Sequence, residues 1–168
     1  MTRAARQRIA LLLGVAALLA LAGWQWRRDH AEVTDALLAA SPQSIQRVEL
    51  RIGDAPAEHF EKRDGQWWCT DGPARRADDG RLGQLTATAA ASVLSWRAAS
   101  DFDPAKIGLQ PPRTVLKLDD ATLEFGEVSV TGPQTYVRVS NGHASPRVAL
   151  ISLRYLPRAA GGNRLHAS

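Results

Sequence analysis

A chain of 168 residues, 45% of them hydrophobic and with a formal charge of +4, fits one modest domain with accessory segments. Of its 21 Lys and Arg, five (Arg3, Arg6, Arg8, Arg27 and Arg28) lie in residues 1–28, which hold no acid; this leaves 16 against 17 Asp and Glu in residues 29–168. That near-neutral portion lacks the basic excess with which a nucleic-acid binder displaces counterions from phosphates, and a single cysteine, Cys69, excludes an intrachain disulfide and any multi-cysteine zinc site.

Residues 1–8 are basic, and residues 9–26 form an 18-residue run interrupted only by Gln25. As a helix this run would be roughly 27 Å long, close to the ~30 Å hydrocarbon core of a bilayer. Ile9, Leu12 and Leu19 lie in its apolar span, and Trp24 and Trp26 stand at its far end, where indole rings favour the headgroup layer. The pattern predicts a single transmembrane anchor, with the N-terminus cytoplasmic and the remainder outside. Ala20-Leu21-Ala22 also fits a signal-peptidase site before Gly23, so a cleaved signal peptide stays open. Either reading sends the rest of the chain across the inner membrane, to the periplasmic side.

Residues 29–44 read as a juxtamembrane linker or short helix stopping at Ser41-Pro42. Residues 45–52 then alternate, with Val48, Leu50 and Ile52 on one face and Arg47, Glu49 and Arg51 on the other, as in a half-buried strand. Residues 58–63 and 66–70 flank Asp64-Gly65, a type I′ hairpin signal. That turn sets Phe60 opposite Cys69 and Lys62 opposite Trp67 on the expected core face, with His59 opposite Thr70 and Glu61 opposite Trp68 on the other. Residues 72–77 read as a loop. Asp78 suits an N-cap, and Leu82, Leu85, Ala89 and Val93 follow at helical spacing, predicting a helix over 79–93 that ends near Trp96. Asp103-Pro104 opens a helical turn that Gly108-Leu109-Gln110-Pro111-Pro112 ends. Strands follow at 114–118, 122–125, 135–139 and 147–151, and residues 154–168 form a tail. The expected class is α+β, a mainly antiparallel sheet with one principal helix over residues 45–153, preceded by the N-terminal transmembrane helix.

No convergent chemistry emerges from this order. His30, His59, His143 and His166 show no metal-ligand spacing, and no phosphate-cradling glycine loop or serine-nucleophile motif is present. A Cys69–His59 pair is the sharpest enzyme hypothesis, yet the hairpin register puts the two on opposite faces. The carboxylates that a hydrolase would use have structural roles available: Asp78 and Asp103 as helix caps, Asp101 beside the latter, and Asp119-Asp120 in a hairpin turn. Trp67 and Trp96 are expected in the core. Trp68, on the polar hairpin face, is the candidate partner contact. The residues therefore predict no catalytic, cofactor or metal site.

Several segments, in order, resemble the DUF4340 family. They are Ile45-x-x-Val48-x-Leu50, Asp64-Gly65-Gln66-Trp67, Asp78 before the leucine-bearing helix, Asp101-Phe102-Asp103, and Gly108-Leu109-Gln110-Pro111-Pro112. After them come Thr114-Val115-Leu116-x-Leu118, Phe125-Gly126 and Tyr136-Val137-Arg138. Ala74-Arg75-Arg76 departs from the more apolar approach to the helix expected there. The resemblance implies an exported, membrane-anchored bacterial protein of undefined activity, some of whose relatives look auxiliary to ABC-type transport systems. It supplies no catalytic residue. The function expected is thus a non-enzymatic envelope accessory or scaffold contacting other envelope proteins. The rival expectations are a periplasmic ligand- or glycan-binding module with Trp68 as a stacking platform, and a small hydrolase using carboxylates or Cys69.

Overall fold

The structure is a computed structural model and describes residues 36–130, 132–142 and 145–159. The expected anchor at residues 9–26, with Ile9, Leu12, Leu19, Trp24 and Trp26, lies outside the described residues. Among the described residues no helix is long and apolar enough to cross a membrane.

Alternating side chains build one antiparallel sheet of nine strands: β1 (Arg47–Ile52), β2 (Glu58–Arg63), β3 (Gln66–Cys69), β4 (Arg75–Arg76), β5 (Val93–Ala98), β6 (Thr114–Leu118), β7 (Ala121–Val128), β8 (Gln134–Asn141) and β9 (Arg147–Ser152). They lie in the order β4-β3-β2-β1-β6-β7-β8-β9-β5. At its centre β1 pairs with β6, Val48 opposite Leu118 and Leu50 opposite Leu116. The inner face carries Val48, Leu50, Leu116, Leu118, Leu123, Phe125, Val137 and Ile151, all buried. An α-helix, α1 (Asp79–Ala87), seats Leu82 and Leu85 in that same core. The architecture is α+β, mainly antiparallel sheet with one α-helix among the described residues.

The helix is shorter than its apolar spacing predicts. After Ala87 the chain makes a 3-10 turn, Thr88–Ala90, and Ala91 is extended. Val93 and Trp96 are therefore not helical but belong to β5, on the far edge of the sheet beside β9. Trp96 is half-buried against the core instead of enclosed by it, and the Arg147 guanidinium lies 4.3 Å from its ring centroid.

The core also reaches beyond residues 45–153. Leu37 and Leu38, assigned above to the linker, are buried in it, and their N–H groups donate to the carbonyls of Ala91 and Ala89 at 2.9 Å each. Tyr155 and Leu156, assigned to the tail, pack against the same cluster.

On the outer face, the link from β5 to β6 folds down over β8 and β9. Asp103 caps a single turn there, its carboxylate accepting from Ala105 N–H at 3.1 Å. Ile107 and Leu109 then pack with Val148, Phe102 and Tyr136 in a second small core. Glu127 N–H donates to the Ile107 carbonyl at 2.8 Å. The close crossing requires Gly126, since a Cβ at that position would lie 2.1 Å from the Ile107 carbonyl oxygen. Phe125-Gly126 and Gly108-Leu109 thus meet at this crossing.

Candidate functional site

The β2–β3 hairpin carries most of the residues singled out in the sequence. Asp64 and Gly65 both have positive φ, 50° and 76°, as a type I′ turn requires. The register follows: Phe60 opposite Cys69, Glu61 opposite Trp68, Lys62 opposite Trp67. Phe60, Trp67 and Cys69 go into the core, Trp67 only 5% exposed. Trp68 is half-buried on the outer face, and the Arg76 guanidinium of β4 lies over its ring, 5.7 Å from the centroid.

Two carboxylates tie the hairpin down. Asp71, just past β3, accepts from the His59 backbone N–H at 2.7 Å and from the imidazole Nδ1 at 2.8 Å. An ionised carboxylate only accepts, so Nδ1 carries the proton in this pair. The hydrogen bond from the His59 backbone N–H, and then the one from its ring, hold the Asp71 carboxyl below its ordinary range. The Cys69 thiol also approaches Asp71, with Sγ 3.9 Å from Oδ2. Asp79, in the first turn of α1, accepts from Trp67 N–H at 3.0 Å and from Arg76 at 2.8 Å. The Trp67 bond first, and the Arg76 charge after it, lower its pKa. Ala77 N–H donates to the Trp67 carbonyl at 2.9 Å. Both backbone groups of Trp67 are thereby satisfied beyond the two-residue reach of β4.

Beside the hairpin, the outer face of β1, β2 and β6 forms an open polar groove of about 490 Å³. Its charges pair with one another, Arg63 with Glu61 within β2 and others across strands. Lys117 donates to Glu49 at 3.0 Å, and His59 Nε2 lies 3.8 Å from the same carboxylate. Farther along the sheet Arg138 donates to Glu124 at 2.5 Å; that bond raises the guanidinium pKa above its ordinary value.

These positions decide what the candidate groups can do. His59 and Cys69 lie on opposite faces, as the register predicts, and Asp71 links them at the strand end. An Asp-held imidazole with its second nitrogen turned outward is half of a general-base arrangement. Here that nitrogen faces Glu49, and the one thiol nearby is buried, 4% exposed. Asp78 accepts from Gly80 and Arg81 N–H, capping α1. Asp119, at φ 51° in the β6–β7 turn, accepts from Gln46 and Arg47 N–H and pins the start of β1. Each is occupied in the structural role its sequence position suggests. Among the described residues no cluster of three or more His, Cys, Asp or Glu is placed to hold a metal ion; His30, His143 and His166 lie outside them. Asp71 is the residue that sequence reasoning missed, and the signal for it was available. Once Thr70 is set opposite His59, the next residue flanks the end of β2 and can reach back to it.

Compared with protein-family models, with curated proteins and with solved structures, the chain matches none.

Proposed function

We propose that the protein is a non-enzymatic envelope component of the DUF4340 type, anchored in the inner membrane by residues 9–26 and holding its α+β domain on the periplasmic side. The carrying observation is the sequence of residues 1–28: an uncharged span from Ile9 to Trp24, set between five arginines with no acid among them. The side chains a hydrolase would need support this reading by being engaged elsewhere. Cys69 is buried, Asp78 and Asp103 cap turns, and Asp119 secures β1. The domain then acts through its surface, as an accessory or scaffold for other envelope proteins, among which the family resemblance points to ABC-type transporter components. Trp68 is the candidate contact on the hairpin. A sugar stacking on it would have to share the ring with Arg76, which favours a protein partner over a glycan.

A reporter active only outside the cytoplasm, fused after Ile151, is expected to work, and the chain to stay in membranes through carbonate washing. Activity from a cytoplasmic reporter alone at that position would overturn the export reading. Recovery of a soluble form starting at Gly23 would replace the anchor with a cleaved signal peptide. Purifying the native protein from membranes and identifying co-purifying chains by mass spectrometry then tests the scaffold role.

A further inference from the structure

A groove of about 400 Å³ runs between α1 and the segment after β9. Arg81, Gln84 and Thr88 line its helical side, and Arg154, Tyr155 and Arg158 its other wall; none of the described residues lining it is acidic. Three arginines meet here in a portion of the chain whose charges otherwise nearly cancel, 16 basic against 17 acidic over residues 29–168. The three are not equivalent. Arg81 is held by Glu58 at 2.7 Å. Arg154 lies 4.6 Å from the Tyr155 ring centroid and donates to its hydroxyl at 2.7 Å, which fixes the guanidinium without neutralising it. A planar guanidinium set in this way matches the oxygens of a phosphate.

The place of the groove matters as much as its charge. The described chain begins at Ala36, which bridges to Ser92, and Leu38 N–H donates to Ala89, the residue after Thr88. The chain therefore reaches the fold beside the groove. If residues 9–26 span the membrane, the nine residues from Arg27 to Asp35 are the whole tether, and they extend at most about 32 Å. So short a tether keeps the local concentration of headgroups high, and attraction across the last ~8–10 Å is not screened away by physiological salt. Each basic side chain at an anionic surface adds roughly fivefold to the partitioning.

We propose that this arginine groove binds the phosphate headgroups of anionic phospholipids, laying the domain down on the membrane that holds its anchor. The proposal rests on the anchored reading above, and its test separates the two. The full chain, with a fluorophore on Gln84→Cys, is placed in nanodiscs of phosphatidylcholine alone or mixed with phosphatidylglycerol, each containing a headgroup-spin-labelled lipid as quencher. Quenching is expected to be several-fold stronger with phosphatidylglycerol, and to fall to the phosphatidylcholine level in high salt or with Arg154→Glu and Arg158→Glu together. Arg158→Glu alone, which leaves the Tyr155 contact in place, should remove part of the effect. Equal quenching in the two lipids, or phosphatidylglycerol quenching that both variants leave unchanged, would overturn the proposal. A chain that does not remain with the discs sinks the anchor instead. The same probe, read against added phosphatidylglycerol vesicles, then still decides the groove.

Discussion

Neighbouring residues of one hairpin are held by different forces, and their substitutions should separate accordingly. Trp67 is enclosed between β2, β4 and α1, so Trp67→Ala should cost about 3–5 kcal/mol in chemical denaturation, as other large aromatic truncations in cores do. Trp68→Ala should cost distinctly less, since half its surface is open and Arg76 can rehydrate. A larger loss from Trp68 would mean that the hairpin register is wrong. Asp79 offers a test in pH. Its carboxyl titrates below its ordinary 3.8 because the ionised form accepts from Trp67 and Arg76. Its stabilising contribution is therefore complete above the ordinary carboxylate range and drains away as pH falls through the lowered value. Asp79→Asn should be less stable than the parent at neutral pH, and the gap should close in acid; a gap constant with pH would show that charge has no part in the contact. The hairpin register, the capping role of Asp78 and the burial of Trp67 were all legible in the sequence, because a two-residue turn and a period of two leave one solution. The double duty of Asp79 was not. It depends on where the edge of β3 needs a partner, which only the assembled sheet decides.

Among the elements, β5 shows how a strand can read as a helix. Val93 falls four residues after Ala89, and Trp96 three after Val93, both helical intervals. In the structure the register shifts between Val93 and Ser95, a β-bulge that puts Val93 and Trp96 on the inner face and leaves Leu94 largely exposed. An inserted residue breaks the period of two and imitates a period of three. Of the other strands, β1 announced itself by alternation, β2 and β3 by the turn between them and β6 to β9 as strand-like runs, whereas β4, two exposed residues long, lies in the segment 72–77 that reads as a loop. The β5–β6 link depends on its crossing. Ala in place of Gly126 must push the Ile107 carbonyl away, so Gly126→Ala should destabilise by about 1–3 kcal/mol. It should also speed hydrogen exchange at the Glu127 amide, which bonds that carbonyl. Unchanged exchange at Glu127 would show that the link is not seated on β7 in solution.

At the scale of the molecule, the fold starts earlier than its first strand. A chain begun at Ile45 loses two buried leucines and the backbone bonds they make to Ala89 and Ala91. That should cost at least about 4 kcal/mol, much of the margin of a domain whose kind is stable by only about 5–15 kcal/mol. Denaturation curves for chains begun at Ala36 and at Ile45 should differ by that amount, and coincident curves would return residues 36–44 to the linker. The sheet order carries a consequence for the timing of folding. β1 pairs in the centre with β6, and β5, made before β6, closes only on β9, the last strand. As the chain lengthens residue by residue, β1 must therefore wait for Leu118 and β5 for Ile151, each holding an open edge meanwhile. A chain cut short anywhere before Arg147 thus loses not one strand but the pairing of two, since β8 and β5 both close on β9.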